Sequence, residues 1–160
     1  MVNPFDAKSE PDRHWIWQHL VAIDSDAFVL GDWAMIENDF AADRFEGIRC
    51  GNSADPDDWT IAFASLDEYR DSWLAASREF LKKQFVDMMP REAVYRRCRL
   101  SAIDIKADRA LVHKQFSGEL PLADGSTLSG SRQTLYRLHR IAGAWKIVGF
   151  LGQLPLDEPS

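Results

Sequence analysis

The sequence predicts an α+β domain, with three N-terminal helices packed on one face of a strongly curved, mostly antiparallel sheet. Three observations carry this. Apolar residues recur at helical spacing from Asp12 to about Val86, then at a period of two after Pro90. The strand-like runs after Pro90 follow one another directly, which implies antiparallel hairpins instead of strand–helix–strand units. Glycine-bearing turns, Asp124-Gly125 and Ala142-Gly143, separate them, and glycine takes the positive φ that tight hairpins require.

The elements follow in order. Residues 1–11 contain Pro4 and Pro11 and few apolar groups, and read as a flexible N-terminal arm. A single domain is expected over residues 12–155, with a C-terminal tail over 156–160. Asp12 caps the first helix, whose apolar face carries Ile16, Leu20, Ile23 and Ala27, with Trp17, Val21 and Phe28 beside them. Gly31 ends it, and Asp32 caps a short second helix bearing Trp33, Ile36 and Phe40. "RFEGIRCG" is a first strand and "GNSADPDDW" a polar loop. "SLDE" has capping-box spacing and opens a third helix to about Val86, with Tyr69, Trp73, Ala76, Phe80 and Leu81 as its apolar stripe. Pro90 follows its end.

Four strands complete the chain: "AVYRRCRLSAIDI", "RALVHKQFSGEL", "TLSGSRQTLYRLHRI" and "AWKIVGFLGQL". The last two form a long hairpin at the centre of the sheet. Side chains alternate between its faces, so Arg132, Thr134, Tyr136 and Leu138 face the helices, and Gln133, Leu135, Arg137 and His139 face outward.

Composition limits the function. The net charge of −6 argues against a general nucleic-acid binder, which needs a basic face. No run approaches the roughly 20 apolar residues of a membrane span. The N-terminus lacks a basic segment followed by an apolar one, so no signal peptide is read and the cytoplasm is the expected compartment. Cys50 and Cys98 are isolated thiols without metal spacing, and read as small buried hydrophobes. No metal site and no cofactor are expected. Six Trp and nine Phe provide rings that either fill a core or line a cavity.

The stretches "LGDWAMIENDFAAD", "SLDEYRDSWL" and "LYRLHRIAGAWKIVGF" resemble the nuclear transport factor 2-like superfamily, the cone fold of ketosteroid isomerases, scytalone dehydratases and polyketide-cyclase-like proteins. The resemblance spans about residues 12–152. It implies a cone-shaped domain with a hydrophobic pocket, and often a dimer through the outer sheet face. It also lets the functional positions of the family be compared in turn. The catalytic aspartate of the isomerases falls near Ile48, which cannot act as a base; Glu46, two residues earlier, is the nearest substitute, or else a rim carboxylate. The oxyanion-donor tyrosine falls near Asp24, which is either a buried acid or a solvated or paired one. The scytalone dehydratase tyrosine matches Phe28. Its histidines fall near Tyr95 and Leu120, with His113 one strand over.

The candidate catalytic residues are therefore Asp24, Glu46 and Tyr95, and the candidate pocket lining is Trp17, Phe28, Trp73, Arg97, Arg132, Thr134 and Tyr136. Rings would supply apolar walls, and Tyr and Thr hydroxyls would orient a carbonyl or hydroxyl. Arg97 and Arg132 would pair with Glu46 or Asp24, or clamp a ligand carboxylate. Two functions remain open at this point. One is a cofactor-independent isomerase, dehydratase or cyclase that works by general acid–base catalysis on a hydrophobic small molecule. The other is a non-catalytic module of the same fold that binds a ligand or dimerises. The expected partners are that small molecule and a second copy of the chain.

Overall fold

A single rod of helix opens the fold: Pro11–Trp17 (α1) and Asp24–Leu30 (α2) are α-helical, and Gln18–Ile23 between them is π-helical. The computed structural model describes residues 1–156, so all but the first residue of the expected C-terminal tail lies outside the described residues. Glu10, not Asp12, takes the N-cap position, because Pro11 occupies the first turn, where no N–H is needed. Asp12 instead accepts hydrogen bonds from Arg140 Nη2 at 2.7 Å and Trp145 Nε1 at 3.0 Å, tying the rod to the sheet. The preceding arm folds back on the rod: Asn3 Nδ2 donates to the His14 carbonyl at 2.9 Å, and Phe5 packs against the cluster around Trp17. Gly31 ends α2 with φ of 65°.

The expected second helix is a series of 3₁₀ turns, Trp33–Met35, Glu37–Asp39 and Ala42–Arg44. Asp32 caps the first of them by accepting from Ala34 N at 3.1 Å. Ile36 leaves the helical path at φ of −122°, yet Trp33, Ile36 and Phe40 are buried as their spacing predicts. Strands β1 (Glu46–Arg49) and β2 (Thr60–Phe63) follow, joined by the polar loop. Helix α3, Leu66–Leu81, starts at the predicted capping box, with the Ser65 hydroxyl accepting from Glu68 N at 3.3 Å and the Glu68 carboxylate accepting from Ser65 N at 3.2 Å. It stops five residues before Val86 because the chain there changes partners. Gln84 O accepts from Ala123 N at 2.8 Å, and Val86 N donates to Pro121 O at 3.1 Å.

Pro90 begins a helix, α4 (Pro90–Arg97), where the sequence reading ended one and started a strand at Ala93. Strands β3 (Cys98–Lys106) and β4 (Arg109–Phe116) form a hairpin; β5 (Leu120–Pro121) and β6 (Thr127–Leu128) form a small separate one; β7 (Arg132–Ile141) and β8 (Ala144–Pro155) form the long one. The main sheet is six-stranded in the order β2-β1-β8-β7-β4-β3, so β7 and β8 are its centre, as predicted. All its pairs are antiparallel except β1 with β8. Ala142 and Gly143 turn β7 into β8 with φ of 50° and 82°.

The main core lies between the helical layer and the sheet and includes Ile16, Leu20, Ala27, Trp33, Trp73 and Phe150. Trp17, Val21, Tyr95 and Cys98 form a second, smaller cluster. Cys50 and Cys98 are both buried and unbonded to each other, and burial pushes both thiols up from their ordinary pKa. Among the described residues, no helix is long and apolar enough to cross a membrane.

Candidate functional site

The alternation of β4 and β7 builds one wall of a cavity. Cross-strand pairing sets Val112 beside Tyr136, Lys114 beside Thr134 and Phe116 beside Arg132, and β8 adds Phe150 next to Tyr136. Side chains two apart share a face, so these rows point together toward the helices. Helices α2 and α3 and the end of α4 close the other side with Phe28, Trp73, Phe80 and Arg97. The space enclosed is about 400 Å³, within the range of small-molecule sites. Exposed Arg49, Gly51, Ser72, Ala76 and Gln153 form a rim that gives access from solvent. The walls are mainly aromatic, with Phe28 edge-on to Trp73 at 5.4 Å and Tyr136 tilted against Phe150 at 5.9 Å.

An ion pair sits in this apolar wall. Lys114 Nζ donates to Asp24 Oδ2 at 2.5 Å. Lys114 is 1% exposed, whereas the Asp24 side chain keeps 25%. Burial works to depress the pKa of the Lys114 ammonium, but the Asp24 carboxylate, with Cys98 and Tyr69, outweighs it and the net direction is upward. Oδ2 of Asp24 is taken by Lys114, so Oδ1 is the oxygen left for a ligand. Beside the pair, the Tyr69 and Tyr136 hydroxyls line the cavity. Burial raises both phenols above their ordinary range, so both stay protonated at neutral pH.

Behind the pair, His19, Asp39, Tyr69, Tyr136 and Asp24 surround a void of about 10 Å³. His19 Nδ1 lies 2.8 Å from Asp39 Oδ1, and its ring stacks on Trp15 at 3.9 Å. Among the described residues, no group of three His, Cys, Asp or Glu is placed to hold a metal ion.

The architecture has many counterparts among solved structures. A domain of unknown function with a cystatin-like fold from Nostoc punctiforme PCC 73102 superposes with a TM-score of 0.61 at 14% identity, over 94% of this chain and 81% of that one. A nuclear transport factor 2-like protein of unknown function from Pseudomonas putida KT2440 gives 0.56 at 16% identity, over 89% and 86%. Another from Shewanella baltica OS155 gives 0.55 at 14%, over 91% and 95%. The chain adopts the nuclear transport factor 2-like fold. No family model and no curated protein matches its sequence.

Within this nuclear transport factor 2-like cavity, Asp24, Phe28, Trp73, Arg97, Arg132, Thr134 and Tyr136 come together as lining. Three of the predicted site residues do not join them. Trp17 lies in the second cluster with Tyr95. On an uninterrupted α-helix, Trp17, Val21, Asp24 and Phe28 would form one stripe. The π-helical turn Gln18–Ile23 intervenes, and Trp17 and Val21 pack in the second cluster while Asp24 and Phe28 line the cavity.

Tyr95 lies outside the cavity because it sits on α4, not on a strand. Its hydroxyl is 3.0 Å from the Ala22 carbonyl oxygen and 3.1 Å from Asp26 Oδ1, and Arg91 lies 4.6 Å over its ring. Burial first, then the bond to Asp26, pushes its pKa up to about 12. Glu46 is half-buried and absent from the cavity wall. Gly47, not Glu46, points at Phe63 and Phe150, since a Cβ there would come within 2.8 Å of Phe63 and 2.9 Å of Phe150. A one-residue error in strand phase exchanges the faces. His113 has the opposite phase to Lys114 and so lies on the outer face. The partner of Asp24 is Lys114, not Arg132. Lys114 was legible as the inward position between Val112 and Phe116, where a lysine has no place in an apolar row unless a carboxylate meets it.

Proposed function

We propose that this chain binds an apolar small molecule in the cavity and moves a proton on it by general acid–base chemistry without a cofactor. The observation that carries this reading is the Asp24–Lys114 pair set in the aromatic wall of an accessible cavity. Lys114 pairs with Asp24 and fixes its rotamer. Oδ1 then takes a proton from carbon next to a carbonyl, and the Tyr136 hydroxyl donates to the oxygen on which charge develops. The reaction class is isomerisation, dehydration or cyclisation through an enol. A solved structure of similar fold is a ketosteroid isomerase-like protein from Erwinia carotovora atroseptica SCRI1043, at a TM-score of 0.50 and 16% identity over 88% of this chain and 98% of that one.

A second reading is favoured by the 2.5 Å contact itself: the pair only ties the helical rod to the sheet, and the cavity binds without catalysis. Deuterium exchange at C2 of 1-tetralone in D₂O separates the two. Wild-type protein accelerates exchange and Asp24→Asn, compared at a temperature where both are folded, does not. Equal exchange by both proteins removes Asp24 from the chemistry and leaves the binding module.

We also propose a homodimer through the outer sheet face and a cytoplasmic location. Leu135 supports the assembly, since it pairs with Leu151 on one side and His113 on the other and all three are only half-buried.

A further inference from the structure

The charges around the cavity are unbalanced. Its lining holds four cations, Arg49, Arg97, Lys114 and Arg132, and a single carboxylate, Asp24. The whole chain has a net charge of −6, so this concentration of positive charge runs against the composition. Asp24 is committed to Lys114. Among the described residues, none of the three arginines makes an ion pair.

Arg49 reaches the rim and is exposed, with its guanidinium 5.7 Å over the Phe63 ring. Arg97 and Arg132 are different. Arg97 is 7% exposed; its Nη2 donates to the Gly130 carbonyl, while its buried Nε has no partner. Arg132 is half-buried, and its guanidinium lies 5.3 Å over the Phe116 ring, with no carboxylate to meet it. Burial, and for Arg97 the neighbouring Arg132 charge, hold both below the ordinary arginine range. Two unpaired guanidinium groups kept close together away from water are costly. A fold retains such a pair where something else supplies the negative charge.

We propose that the ligand of this cavity is an organic acid, its carboxylate or an equivalent oxyanion held between Arg97 and Arg132 while its apolar body lies among the rings. This rests on the cavity being a ligand chamber, and it defines which ligands the chamber takes. The strand spacing also defines their length. Arg132 lies two residues from Thr134, the partner of Lys114, which is about 7 Å along the strand. An acid group at Arg132 therefore leaves about one ring between it and the carbon presented to Asp24. The substrate class is a cyclic or aromatic acid that reacts about a ring's width from its carboxylate.

The test uses a matched pair, naphthalene-2-carboxylate and naphthalene-2-carboxamide, titrated calorimetrically into wild-type protein and into Arg132→Met. Met keeps the apolar stem and removes the charge. Wild-type protein is expected to bind the carboxylate at least about tenfold tighter than the amide, a difference typical of one charge-assisted bond. Arg132→Met loses that preference and, without ligand, melts no lower than wild type, because an unpaired charge has been removed. Arg97→Gln, which keeps a neutral polar donor on a shorter side chain, also weakens the preference. Equal binding of acid and amide by wild-type protein overturns the clamp and leaves the apolar chamber standing. An acid preference that survives both substitutions overturns it as well. Binding of neither compound overturns the clamp and counts against the chamber itself.

Discussion

Lys114 is the residue on which the site turns. A lysine 1% exposed is stable only because Asp24 Oδ2 is 2.5 Å away, and the pair ties the helical rod to strand β4 of the sheet. Removing one partner leaves the other charge poorly compensated, which for buried pairs costs about 3–5 kcal/mol. Asp24 keeps a quarter of its side chain exposed, so the lower end, about 3 kcal/mol, is expected for Lys114→Met. Asp24→Asn strands the ammonium and is destabilising in the same direction. Asp24→Asn together with Lys114→Met removes both charges and costs less than the two single changes combined. Urea denaturation of the four proteins measures this coupling, and strict additivity would mean that the contact contributes no stability. The site was only half legible at this scale. Asp24 was reached through the family resemblance and the lining positions of β7 through strand alternation, whereas Lys114 was missed although its phase places it inward. The exclusion of Glu46 was not readable, because β1 is four residues long and its alternation fits either face.

At the scale of elements, local signals succeeded where they were self-contained. Ser65 and Glu68 announce the start of α3 without help from the rest of the chain, and the structure has both bonds of the box. Ser65→Ala is expected to cost about 1 kcal/mol, as for other N-caps, measured as a lower denaturation midpoint with an unchanged slope. An unchanged midpoint would mean that packing of Leu66 and Trp73, not the cap, fixes the helix start. Signals that depend on tertiary pairing were lost. Strand β2 is short and borrows its order from β1, so "TIAF" gave no notice of it. Pro90 reads equally well as the residue after a helix or the first residue of one, and burial of Ala93 and Val94 selects the second. The π-helical turn has no sequence signature at all. It lies between Trp17, in the second cluster, and Asp24, in the cavity wall.

For the whole molecule, the change of period at Pro90 and the central hairpin were enough to predict the architecture, and the sheet order agrees. The parallel contact of β1 with β8 was not predictable from neighbouring strands, since the two are almost a hundred residues apart. The outer face carries the proposal of a homodimer. Sedimentation equilibrium at micromolar concentration should give twice the 18.2 kDa chain mass, and Leu135→Glu should return the protein to a monomer. A wild-type monomer would reject the assembly, and a dimer indifferent to Leu135→Glu would move it to another surface.

We propose that the space between α2, α3 and the sheet is a ligand chamber floored by Asp24 and Lys114. Backbone amide chemical shifts, followed while 1-tetralone is titrated into ¹⁵N-labelled protein, test this most directly. The largest shifts are predicted at Ser25, Phe28, Trp73, Lys114 and Tyr136, which line the cavity from both sides. Shifts confined to Leu135, Arg137 and His139 on the outer face, or no saturable shifts at all, would contradict the account.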